Sequence, residues 1–109
     1  MQTQETAPEL TTITVPETAA AAPKYINPNN MYVYRAYFGK FKGTQVRRLN
    51  WSIIKKTSHV FVEATEGHMG AAPYTVQNVD PQDGFVDVRL TVDWGSPIDV
   101  YIDYLVING

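Results

Sequence analysis

The chain reads as all-β, an antiparallel β-sandwich or small barrel of about six strands behind an extended N-terminal arm. Three observations predict this class. From Met31 onward, runs rich in Tyr, Val, Ile and Phe alternate apolar with polar residues, which is the period of a half-buried strand. Clusters of Gly, Pro and Asx separate these runs, and the runs recur at roughly 8 to 12 residues, the rhythm of a small sandwich. The 109 residues include no cysteine, so neither a disulfide framework nor a thiolate metal site can be built. Packing, hydrogen bonds and association must hold the core.

The arm is residues 1–24 and the sandwich domain residues 25–109. The first 23 residues carry Thr, Ala, Glu and Pro in abundance and no aromatic residue, too little apolar surface to offset the cost of ordering the backbone. Within the arm, "LTTITV" (Leu10 to Val15) has the β-propensity to add a strand to a sheet edge, while Pro8, Pro16 and Pro23 limit its length. Extended, 23 residues reach roughly 75 Å, enough to lie across neighbouring molecules. The competing reading has the arm fold back as an edge strand of its own sandwich. Leu10, Ile13 and Val15 are apolar side chains in a polar tail with no local core to enter. With Tyr25, Arg47 and Arg48 they are the candidate interface residues.

"MYVYRAYF" is the first strand of the domain, and "GKFKG" punctuates it. In "TQVRRLNWSII", Gln45, Arg47, Leu49, Trp51 and Ile53 share a face; Val46, Leu49 and Ile53 also allow a short helix over "QVRRLNWSIIKK" as a second reading. "HVFVEAT" puts Val60, Val62 and Ala64 on one side, the loop "EGHMGAAP" breaks regular structure, and "YTVQNV" is a short strand. In "DPQDG", Asp80 caps a turn, Pro81 sets φ and Gly84 permits φ > 0. The last two strands alternate most regularly. Val86, Val88, Leu90, Val92 and Trp94 form one face of "FVDVRLTVDW", and Ile98, Val100, Ile102, Tyr104 and Val106 one face of "IDVYIDYLVI". Joined through "GSP", the two read as a hairpin.

Net charge is −2, but its distribution is uneven. Lys24, Arg35, Lys40, Lys42, Arg47, Arg48, Lys55 and Lys56 precede Thr57, with no acid between Thr18 and Val62. After Thr57 only Arg89 is basic, against Glu63, Glu66, Asp80, Asp83, Asp87, Asp93, Asp99 and Asp103. If the two halves end on opposite faces, copies attract head to tail. The N-terminus lacks the basic and apolar pattern of a signal peptide, and no stretch approaches the length of a membrane span, so the chain is expected to be soluble, made inside a cell and without a membrane partner.

Little in the sequence suggests chemistry. His59 and His68 have no third ligand at metal spacing, and "DPQDG" offers far fewer oxygens than a calcium loop needs. Asp87, Asp93, Asp99 and Asp103 read as the solvated face of a hairpin. No catalytic residue, metal ligand or cofactor-binding residue is assigned, and no enzyme activity is expected. The basic stretch from Arg35 to Lys56, interleaved with Tyr37, Phe38, Phe41 and Trp51, has the ingredients of a single-strand platform, but without an overall basic excess nucleic acid is not an expected partner.

"SHVFVEAT" followed by "YTVQNVDPQDGFVDVRLTVDWGSPIDVYIDYLVING" resembles the end of an H-type lectin-like domain, through Val76, Asn78, Val79, Gly84, Phe85, Val86, Trp94, Val100 and Tyr104. The resemblance covers about half the chain and implies a six-stranded sandwich that trimerises, with a glycan as a candidate ligand. Tyr104 stands where the family has a tryptophan, and the family's sugar-binding residues have no counterpart, so the fold carries over better than the activity. In size and layout the chain also resembles the decoration proteins of bacteriophage capsids, as well as fibre domains. That resemblance implies a virion structural subunit, a capsid decoration or cement protein that oligomerises, contacts a partner such as a major capsid protein and ties neighbours together through its arm. The alternative is a carbohydrate-binding fibre or tail domain.

Overall fold

The computed structural model describes residues 12–16 and 30–109. Leu10, Tyr25 and the expected boundary at residue 24 lie outside the described residues. Seven strands appear in chain order, β1 (Thr12–Thr14), β2 (Met31–Phe41), β3 (Gly43–Asn50), β4 (His59–Thr65), β5 (Tyr74–Gln82), β6 (Phe85–Val92) and β7 (Ile98–Ile107). They form a four-stranded sheet of order β1-β3-β6-β5 and a three-stranded sheet of order β2-β7-β4. The sheets pack face to face, so the molecule is the expected β-sandwich.

The core follows from alternation. Val86, Val88, Leu90 and Val92 of β6 face Val100, Ile102, Tyr104 and Val106 of β7, and all eight are at most 1% exposed. Each strand alone would leave an apolar stripe in water; facing each other across the sandwich, both stripes are buried. The hairpin expected from these strands is therefore not formed. β6 and β7 lie in different sheets, and the segment 93–97 carries the chain across. Trp94, expected on the core face, falls on this crossing and is 45% exposed.

A true hairpin joins β5 to β6. Gln82 pairs with Phe85, and between them Gly84 takes φ 91°, the left-handed conformation that a two-residue turn demands and glycine adopts without strain. Pro81 lies inside β5, which is tolerated because β5 is an edge strand with one side free of ladder bonds.

β2 is longer than its sequence run suggested. It continues through Gly39, where a bulge shifts the register between Tyr37 and Lys40 and Gly39 adopts φ 85°. The extra residue changes the phase of alternation, so Phe38 and Phe41 are both buried while Lys40 turns outward. No helix forms over residues 45–56. Residues 43–50 pair along the whole of β6, and the ladder and core contacts of Leu49 outweigh a local helical pattern. After β3, Trp51 and Ile54 fold inward, with Trp51 N–H donating to Gly84 O at 3.0 Å and Gly84 N–H to Ile54 O at 2.7 Å. Trp51 is core, 2% exposed, against the rings of Tyr34 (5.6 Å) and Tyr32 (6.1 Å).

The N-terminal segment docks on its own sandwich. β1 pairs in parallel with β3, Ile13 opposite Leu49, and Val15 N–H donates to Asn50 O at 2.8 Å. Val15 is 4% exposed within the core and Ile13 packs against it. The expectation that these side chains lack a local core is thus corrected; β3 would otherwise present an open edge and a gap beside Leu49.

Two outcomes test this packing. Val15→Ala removes two buried methyl groups and is expected to cost about 2 kcal/mol in urea unfolding, with the amide of Val15 protected from exchange in the dissociated monomer; free-peptide exchange there would refute the docking. The Tyr104 hydroxyl is buried without a hydrogen-bond partner among the described residues. Tyr104→Phe should therefore leave stability unchanged or raise it by up to about 1 kcal/mol, and a clear loss would reveal a partner.

Candidate interaction surface

The charge pattern of the sequence resolves into cross-strand pairs. Arg35 of β2 sits directly opposite Asp103 of β7, Lys40 opposite Asp99, and Arg48 of β3 opposite Asp87 of β6. All three close as ion pairs, at 2.6, 3.1 and 2.8 Å, and the two arginines are bidentate. Cations of β2 and β3 thus pair with carboxylates of β7 and β6 inside each sheet. The condition for head-to-tail attraction, opposite charge on opposite faces, does not arise, and Asp87 and Asp99 lie in different sheets and not on one hairpin. Exposed pairs of this kind add little stability. Their consequence is register, because a one-residue slip would set each cation against an inward-facing residue.

The remaining expected interface residues are scattered. Arg47 is 3% exposed, its guanidinium 4.1 Å from the Phe41 ring centre and donating to Gln45 Oε1 and Val46 O, and burial lowers its pKa. It has no carboxylate partner among the described residues. Arg48, next to it in β3, points to the outer face of the same four-stranded sheet, paired with Asp87 and over the Phe85 ring at 3.9 Å. Ile13, Val15 and Arg47 therefore serve the fold, and only Arg48 of the described candidates is on an open face.

A different surface stands out, the outer face of the three-stranded sheet. Register places its side chains in rows across β2, β7 and β4. Met31, Ile107 and His59 make the first row, and Val33, Leu105 and Phe61 the second. Arg35, Asp103 and Glu63 follow, then Tyr37, Tyr101 and Thr65. Val33 is 54% exposed and Phe61 58%. Apart from His59, two adjoining rows are thus apolar on a face where alternation calls for polar residues, a pattern associated with association surfaces. The sequence carried a signal of it: "YLVI" at the end of β7 abandons alternation, and "HVFV" puts Phe61 on the side opposite Val60 and Val62.

Beyond the charged row, the Tyr37 and Tyr101 rings stack at 4.8 Å, and Arg35 lies 5.5 Å from the Tyr101 ring centre. The Tyr37 hydroxyl donates to Asp99 at 2.7 Å. Next to them, an open groove of about 300 Å³ is lined by residues including Thr65, Glu66, His68, Met69 and Tyr74. Tyr74 donates to Asp99 O at 2.6 Å; burial, then Glu66 and Asp99, push its hydroxyl up to about 12. Among the described residues no three His, Asp or Glu side chains gather as metal ligands, and no helix is long and apolar enough to cross a membrane.

Compared with protein-family models, curated proteins and solved structures, the chain matches none.

The hydrogen bond from Tyr37, with that from Lys40, holds the Asp99 carboxyl below its ordinary pKa. The unfolded chain titrates near about 3.9, so between the lower native value and that point the unfolded state binds more protons and stability rises with pH. Acidification below about pH 4 should weaken the wild-type protein through this group. Asp99→Asn should lower the urea midpoint at pH 6 and flatten its fall below about pH 4; an unchanged acid limb would show that Asp99 does not carry it.

Proposed function

We propose that the protein is a structural subunit of a larger assembly, and specifically a virion decoration or stabilising subunit that docks against protein neighbours. One observation carries the reading: two rows on the outer face of the three-stranded sheet are apolar apart from His59, with Val33 and Phe61 exposed, beside an ion-paired row that fixes the register beneath them. A small cysteine-free sandwich gains from such docking, since covering about 1,000 Å² or more of surface adds stability that so small a core lacks. The role first expected for Ile13 and Val15, tying neighbours together, passes to this face, because both residues are engaged at home.

The carbohydrate reading has one feature in its favour, the stacked Tyr37–Tyr101 pair beside the groove at Glu66 and Tyr74. Rings of this kind can cover the apolar face of a pyranose.

The test is the protein content of virus particles purified from cells that carry the gene. The chain is expected in the particles at a copy number comparable with the shell subunits, and lost from them on Phe61→Asp. Its absence from intact particles would sink the structural reading. Binding of the isolated chain to immobilised glycans, abolished by Tyr101→Ala, would replace it with the carbohydrate one.

A further inference from the structure

From the charge layout of this same face, we infer that its apolar rows are covered by a second copy of the chain, related by a two-fold axis lying roughly along β7. The inference rests on the docking role proposed above and names the occupant.

The three strands of the face are not equivalent. β2, at one edge, presents Arg35 and Lys40 and no acid; β4, at the other edge, presents Glu63 and no lysine or arginine; β7 lies between them. Glu63 is directly opposite Asp103 in the ladder, and Asp103 already holds Arg35 through two hydrogen bonds. Two carboxylates side by side on one face are unfavourable, and Glu63 has no cation of its own among the described residues. Within one copy Arg35 attracts Glu63 only from a distance, because its ion pair is closed on Asp103.

A two-fold rotation about an axis along the central strand relieves this repulsion. That rotation brings the two outer faces together, keeps each row over the same row of the other copy, and exchanges the edges, so β2 of one copy lies over β4 of the other. Val33 then meets Phe61 of the second copy, and Arg35 meets its Glu63, twice by symmetry. Leu105 packs near the axis. Asp103 is also close to it, and is the carboxylate of the row that already has its cation. A tilt of the axis that lets the two sheets cross at about 30° satisfies their twist. An axis across the strands through the second row would instead set the charged row against Met31 and Ile107, desolvating charge against carbon, and one between the first two rows would cover those rows but bring no cation to Glu63. Of these arrangements, the first both covers the apolar rows and brings a cation to Glu63.

Sedimentation equilibrium of the full chain across concentration tests the pairing. The wild-type chain is expected to dimerise, with association weakened by salt. Glu63→Arg gains a cation for Asp103 within its own copy, so the fold is kept, but it opposes Arg35 of the other copy and should raise the dissociation constant about ten-fold or more. Phe61→Asp should do the same by removing apolar cover. Val46→Asp, on the outer face of the other sheet where Val46 is 44% exposed, should change nothing. Unaltered or tighter association of the Glu63→Arg chain, or dissociation by Val46→Asp alone, would overturn the arrangement. A chain that stays monomeric to millimolar concentration yet is found in particles overturns the pairing and leaves the structural role standing; a dimer absent from particles does the reverse.

Discussion

The whole structure depends on β6 and β7 being held apart by the width of the core. They are consecutive, each carries an uninterrupted apolar stripe, and a ladder between them would put both stripes on one face of one sheet with little to cover them. Set in opposite sheets, they bury each other, and every other strand except β1, which pairs with β3, takes its place beside one of the two. β3 and β5 flank β6, and β2 and β4 flank β7. The short segment 93–97 makes this separation possible, anchored where Asp93 N–H donates to Pro73 O and where Lys42 reaches Gly95 O.

Once the central strands are placed, charge chooses the register of their neighbours. The paired cations lie in β2 and β3 and their carboxylates in β7 and β6, so each sheet receives one strand that supplies the cations and one that supplies their partners. The pairs Arg35–Asp103, Lys40–Asp99 and Arg48–Asp87 are direct ladder partners. Their net energy is small in water, yet a one-residue slip loses all of them together with the inward apolar set, and a two-residue slip, which keeps the faces, still loses the pairs. Glu63 is the carboxylate of the three-stranded sheet's outer face that this scheme leaves without a cation, and it lies beside the apolar rows. Register and candidate contact are therefore two results of one charge pattern.

Edge protection follows a similar economy. The open side of β3 receives the three residues of β1, with Val15 filling the core beside Leu49 and Trp51. β5 carries Pro81 and a bulge at Gln77, and β2 carries its bulge at Gly39, devices that discourage further strand addition.

The sequence by itself determined the β class, the inward residues of β6 and β7, the turn at Gly84 and the inward face of Arg47, Leu49 and Trp51, because these follow from period two and from glycine's access to positive φ. It did not reveal partners. Whether the two most regular strands pair or oppose, whether Ile13 and Val15 find a core, and whether the charges segregate or neutralise depend on which strands become neighbours, and alternation is the same for any neighbour. The apolar rows of the outer face were written in "YLVI" and "HVFV", but only the ladder register sets Val33, Leu105 and Phe61 side by side. Tertiary structure decided those questions, since the burial of two stripes against each other is a property of the whole chain and of no segment in it.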